Sequence, residues 1–183
     1  MTDSNSDSLP TRPDLAKPVF IVIMGVSGCG KSTVAERLAG EIGGKFLEGD
    51  SFHPPENKAK MGAGIPLQDE DRWPWFDRLI DAASEVLESN GSPVLACSAL
   101  KQGYRDYLFR HFPDHRLVYL EGSFELIKGR MDVREHEYMT SDLLRSQFAI
   151  LEEPAPDPGL LTLSIELTPD EIISAILEWL RTA

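Results

Sequence analysis

The sequence predicts an α/β protein: a doubly wound, five-stranded parallel sheet with helices on both faces. Two observations carry this. Short apolar, β-branched runs alternate with segments of helical spacing along the chain. The first of these runs, Val19 to Met24, leads through a glycine-rich loop straight into a helix. Six consecutive apolar residues without alternation are the pattern of a strand buried on both faces, as parallel sheets require.

The elements follow in order. Met1 to Lys17 is polar, rich in Ser, Asp and Pro, and reads as a disordered tail before a domain spanning 18–183. The first helix continues from Val34 and stops at Gly43-Gly44. Lys45 to Glu48 is the second strand, ending at Gly49-Asp50. Pro55 to Met61 suits a short helix, and Trp73 to Ser89 places Trp75, Phe76, Leu79, Ile80, Ala83, Val86 and Leu87 at helical spacing. By that spacing Trp73, Trp75 and Phe76 are core rather than a platform for a base. Pro93 to Cys97 is the third strand, Lys101 to His111 a helix, and Leu117 to Leu120 the fourth strand. Ser123 caps a helix over Phe124 to Met131, and Ser141 or Asp142 caps another that runs to about Leu151. After a proline-rich loop, Leu161 to Ile165 is the fifth strand. Thr168-Pro169-Asp170-Glu171 then opens the last helix with cap, first-turn proline and acidic residues in order.

Gly25-Val26-Ser27-Gly28-Cys29-Gly30-Lys31-Ser32 fits the phosphate-loop pattern G-x-x-x-x-G-K-[ST] and continues into Thr33. Gly25, Gly28 and Gly30 reach backbone angles closed to other residues. Successive N–H groups then converge on an anion at a helix start, where the dipole adds positive potential. Lys31 is placed to reach the β- and γ-phosphates of a nucleoside triphosphate, and the Ser32 hydroxyl to sit on Mg²⁺. The alternative is a glycine-rich turn with a solvated lysine.

Composition narrows the partners. The 183 residues suffice for one α/β domain and are short for two. A formal charge of −12, from 18 Lys+Arg against 30 Asp+Glu, argues against nucleic acid. No apolar stretch approaches a membrane span and the N-terminus lacks a signal-peptide core, so the expected compartment is the cytoplasm. Cys29 and Cys97 give neither a disulfide framework nor a metal-ligand spacing; a redox switch between them is the sharper alternative to inert packing. If the ligands are anions, the few cations must be focused at the site.

The loop alone does not separate a kinase from a GTPase switch. No Asp has Gly three residues later, and Asn57-Lys58-Ala59-Lys60 fails the guanine-reading N-K-x-D pattern. Cys97-Ser98 ends the third strand where a Mg²⁺-binding carboxylate would be sought, so the metal would rely on Ser32, with Asp50 or Glu48 further out. Asp50 follows the second strand, which puts it at the carboxyl edge of the sheet beside the loop. A carboxylate there can take the proton of an attacking hydroxyl or simply cap the next turn.

Gly49-Asp50-Ser51-Phe52-His53-Pro54-Pro55-Glu56-Asn57, Lys60-Met61, Gly64 to Arg72, Cys97 to Lys101, Tyr104-Arg105-Asp106 and Gln147-Phe148 resemble, in order and spacing, the gluconate kinase family. The match covers about Val19 to Pro154. The resemblance implies a nucleoside-monophosphate-kinase-like fold with a lid, ATP-dependent phosphorylation of the 6-hydroxyl of D-gluconate, and a homodimer. It casts Asp50 as the residue that activates the acceptor, His53, Arg72, Lys101 and Arg105 as pocket candidates, and Arg130 and Arg134 as the cationic lid. Each has a plainer alternative: a loop histidine at His53, an exposed helix-start arginine at Arg72, surface cations at Lys101 and Arg105. One segment departs from the family pattern. Where Arg-x-Gly-His-Phe is usual, this chain has Arg134-Glu135-His136-Glu137-Tyr138. The competing readings are another small-metabolite kinase, of shikimate or nucleoside-monophosphate type, and a nucleotide-binding regulatory protein.

Overall fold

The computed structural model describes residues 15, 17–133 and 141–182. Five strands, β1 (Phe20–Met24), β2 (Lys45–Glu48), β3 (Pro93–Ala96), β4 (His115–Glu121) and β5 (Leu160–Ser164), form one sheet in the order β2-β3-β1-β4-β5, every neighbouring pair parallel. The expected architecture is therefore present. β1 lies at the centre, wholly buried, and its period-two alternation feeds two cores. Val19, Ile21 and Ile23 belong to one; Phe20, Val22 and Met24 belong to the other.

The first core is closed by α1 (Lys31–Ile42), α5 (Phe124–Val133), α6 (Ser141–Ile150) and α7 (Pro169–Thr182), the second by α3 (Asp69–Glu88) and α4 (Gln102–Phe109). Cap chemistry sets the helix ends. Gly43 takes a left-handed φ of 67° and Gly44 N–H returns to Ala39 O at 2.8 Å, which ends α1 at the glycine pair. Thr168 and Glu171 cap α7 reciprocally, the Thr168 N–H donating to Glu171 Oε2 at 2.8 Å and the Glu171 N–H to Thr168 Oγ1 at 3.3 Å. Ser123 Oγ accepts from Leu126 N–H at 3.2 Å, as expected for the start of α5.

One expectation needs correction. α3 begins at Asp69, four residues before Trp73, because Asp71 Oδ2 accepts the Gln68 N–H at 3.0 Å and three acidic residues favour the N-terminal dipole end. Pro74 lies inside the helix, in its second turn. The shift puts Asp69 and Arg72 together on the first turn. The tail also reaches the domain: Leu15 packs on the first core, and the Lys17 ammonium meets Asp114 Oδ2 at 2.6 Å.

Candidate active site

β1 and β3 both end at the carboxyl edge, one entering the glycine loop and the other Cys97-Ser98. Gly25, Gly28 and Gly30 have φ of 144°, 83° and 101°, so the three glycines hold the angles expected of them. A Cβ on Gly25 would lie 2.8 Å from Leu120 O. Cys29 turns inward, and Lys31 folds over the loop to donate to Val26 O at 3.0 Å.

The loop opens onto a cleft of about 300 Å³. Ser27, Gly28 and Gly30 to Thr33 form one wall, Ala96 to Ser98 and Glu48 with Asp50 another, and Arg130 with Met131 of α5 the rim. Lys31, Ser32, Asp50 and Arg130 thus meet at one opening. Among the described residues no cluster of three or more His, Cys, Asp or Glu could hold a metal ion. The donors that are present, convergent loop amides, an ammonium and a hydroxyl beside carboxylates, are the set that fits a Mg²⁺-bound triphosphate.

Asp50 sits in the single 3₁₀ turn Gly49–Phe52, reached because Gly49 lets β2 run close against β3. A Cβ there would lie 2.4 Å from Ala96 O. The Asp50 side chain is 87% exposed. The turn itself is pinned from behind: the Trp75 indole donates to Gly49 O at 2.8 Å and stacks on the buried His53 ring at 4.2 Å between centroids. Burial pushes the His53 imidazole down to about 4, against the opposing pull of Asp50. The core reading of Trp75 holds, and Trp75 also pins the turn that carries Asp50.

Arg72 and Lys101 adjoin this cleft without lining it. Lys101 donates to both Asp69 oxygens, at 2.8 and 3.2 Å, and the Tyr104 hydroxyl donates to Asp69 Oδ1 at 2.5 Å. The bonds from Lys101 and Tyr104 hold the Asp69 carboxyl below the usual carboxylate range. Arg72 lies 5.5 Å from the Tyr104 ring centroid, and its Nε is buried with no hydrogen-bond partner among the described residues. Arg105 is not the surface cation of the plainer alternative. It is 2% exposed, donating to Ala99 O at 3.0 Å, Leu100 O at 3.1 Å and Gln102 Oε1 at 2.7 Å. Ala99 has a strained φ of 43°, and these bonds brace the chain after β3. Arg134 and the divergent stretch to Tyr138 lie outside the described residues. Arg130 lines the cleft and donates to Ile165 O at 2.6 Å.

Three residues that the motifs or the spacing named without a role at the site also support it. Gln147 binds Ser27 from 120 residues away; Asn57 bonds His53 and Asp71; Trp75 anchors Gly49. Cys29 and Cys97 are both free and buried, and burial pushes the Cys97 thiol up to about 12, which disfavours the thiolate a redox switch needs.

A phosphate loop at the head of a parallel sheet, facing a carboxylate and a rim arginine across one cleft, defines a P-loop kinase of small substrates. A family model described as an AAA domain matches residues 20–154. The gluconokinase of Gluconobacter oxydans is 41% identical over 161 residues, covering 88% of this chain and 90% of that one. A crystal structure of a gluconokinase from Sinorhizobium meliloti superposes with a TM-score of 0.81 at 41% identity, over 90% of this chain and 93% of the other. Thymidylate kinase of Candida albicans, at 16% identity and a TM-score of 0.64 over 91% and 92% of the two chains, shares the fold alone. The chain belongs to the gluconokinase family.

Proposed function

We propose that this chain transfers the γ-phosphoryl group of ATP to the 6-hydroxyl of D-gluconate. One observation carries the mechanism: Lys31, Ser32, Asp50 and Arg130 line a single cleft at the carboxyl edge of the sheet. The loop amides and Lys31 hold the phosphates. Ser32 is the residue that would hold Mg²⁺, which when bound neutralises phosphate charge. Asp50 accepts the hydroxyl proton as the oxygen closes on phosphorus and the bond to the departing ADP oxygen breaks. Arg130, joined by Arg134, meets the charge developing on the transferred group.

Arg72 is the group proposed to receive the gluconate carboxylate. Its guanidinium makes one long bond, Nη2 to Leu67 O at 3.5 Å, while Lys101 is already committed to Asp69. His53, buried under Trp75, supports the site from behind. Residues 18–183 work as one kinase domain, in a reducing cytoplasm that suits two free thiols and as the homodimer the family pattern implies.

ADP release measured with ATP, Mg²⁺ and a panel of gluconate, other sugar acids, shikimate and nucleoside monophosphates tests this reading. Gluconate should stimulate it most. Stimulation by shikimate or a nucleoside monophosphate instead would replace the substrate, and ATP binding with no stimulation by any acceptor would favour a regulatory role.

A further inference from the structure

Asn57, one turn into α2 (Pro55–Gly62), is buried and stands between two acceptors. Its Nδ2 donates to the Asp71 carbonyl at 2.7 Å, and a carbonyl accepts only from the amide nitrogen, so the orientation of the side chain is fixed. The same nitrogen lies 3.4 Å from His53 Nδ1. An amide N–H directed there requires a lone pair on Nδ1, which leaves the ring proton on Nε2. Nε2 in turn points toward Asp50, 3.9 Å from Oδ1.

We infer that Asn57 fixes His53 as the neutral, Nε2-protonated tautomer, and that this ring is a positioning residue presenting a donor to Asp50. The inference rests on the reading of Asp50 as the proton acceptor. The ring cannot turn away: it is stacked on Trp75 at an interplanar angle of 16°, and Trp75 is itself bonded to Gly49 of the same turn. The carboxylate can move, because it is exposed, and a side-chain rotation closes the remaining gap to hydrogen-bond distance. One Asp50 oxygen is then held by His53 and the other stays free for the acceptor hydroxyl.

Neutrality matters to the chemistry. An imidazolium would pair with Asp50 and lower its basicity, whereas a neutral N–H orients the carboxylate and leaves its charge available. The charged groups facing the ring are Asp50, which favours a proton on it, and Arg72 and Lys58, which oppose one; together with burial they keep it uncharged.

The test uses the full chain labelled with ¹⁵N-histidine. Four histidines are present, and the His53 signals are those lost in His53→Phe. Long-range ¹H–¹⁵N correlations at pH 7 should show the Nε2–H tautomer. His53→Phe keeps a stacking ring without a donor; kcat should fall roughly ten- to a hundredfold, the loss expected for one hydrogen bond to a charged group, with KM for ATP within about twofold. His53→Gln, which restores a neutral N–H, should recover part of it, and Asn57→Asp should turn the ring to the Nδ1–H tautomer with a similar fall. If Asn57→Asp does not fold, the wild-type spectrum and His53→Phe decide alone.

An Nδ1–H ring or an imidazolium in the wild type at pH 7 would overturn the inference, as would unchanged kcat in His53→Phe. Failure of the underlying reading looks different. Near wild-type turnover in Asp50→Asn, with the Nε2–H tautomer intact, removes the proton acceptor and with it the positioning role.

Discussion

Gln147 of α6 grips Ser27 of the phosphate loop with both ends of its amide, accepting the Ser27 N–H at 2.7 Å and donating to Ser27 Oγ at 2.9 Å. The next residue, Gly28, lies against α5: a Cβ there would fall 2.9 Å from Met131 Cγ. The two helices that flank the undescribed segment 134–140 therefore both touch the crown of the loop that holds the phosphates.

Gln147→Met keeps the length of the side chain and removes both bonds. KM for ATP should rise roughly tenfold, the consequence of about 1.4 kcal/mol of lost loop order, with KM for gluconate unchanged. Ser27→Ala added to Gln147→Met should cost nothing further, since the partners act as one unit. Initial-rate kinetics on the two single variants and the double variant check this.

Gly49→Ala should destabilise the fold by about 1–3 kcal/mol, the usual range for overpacking, because the new methyl would press on Ala96 O and part β2 from β3. Turnover should fall as well, since Asp50 is the next residue. Gly62→Ala, where a Cβ meets nothing within 4 Å, is the control and should leave both close to wild type. Urea unfolding and kcat, measured on both variants, separate the outcomes.

Arg105→Met leaves the carbonyl of the strained Ala99 without its partner, while Leu100 O keeps the Glu152 N–H at 2.9 Å, and should lower stability by about 1–3 kcal/mol. Lysine at this position should rescue little, because one ammonium cannot reproduce a fork serving Ala99, Leu100 and Gln102. In the protein that still folds, KM for gluconate should match wild type. A large rise in that KM without loss of stability would return Arg105 to the acceptor pocket.

Acid should weaken the fold in a defined window through His53. Its pKa drops from 6.5 in the unfolded chain to about 4 in the folded one, so between those values the unfolded state binds more protons. Stability therefore declines as pH falls from about 6.5 to about 4, before the ordinary carboxylate range is fully entered. In His53→Phe, urea midpoints across this window should show a shallower slope.

Most of the fold was legible because its signals are local. The run Val19 to Met24, the glycine pair after α1 and the Thr168 to Glu171 cap each carry their own chemistry within a few residues. The start of α3 was set too late because the apolar spacing begins only at Trp73, whereas the acidic first turn before it is closed by a cap on the Gln68 backbone. At the site, the loop and Asp50 were visible from motif and sheet edge. Arg105 was placed correctly in sequence, just after β3, but its burial was not legible, since spacing does not say which face of α4 is covered. Gln147, Asn57 and Trp75 act through partners far along the chain or across the turn, and no periodicity records such pairings.

The most direct test of the mechanism is Asp50→Asn, assayed for gluconate-dependent turnover and for ATP binding in the same preparation. Loss of a general base should lower kcat by roughly a hundredfold or more while the dissociation constant for ATP stays within about threefold, because the phosphate loop is untouched. Turnover near the wild-type rate would contradict the assignment of Asp50 as the group that receives the gluconate proton.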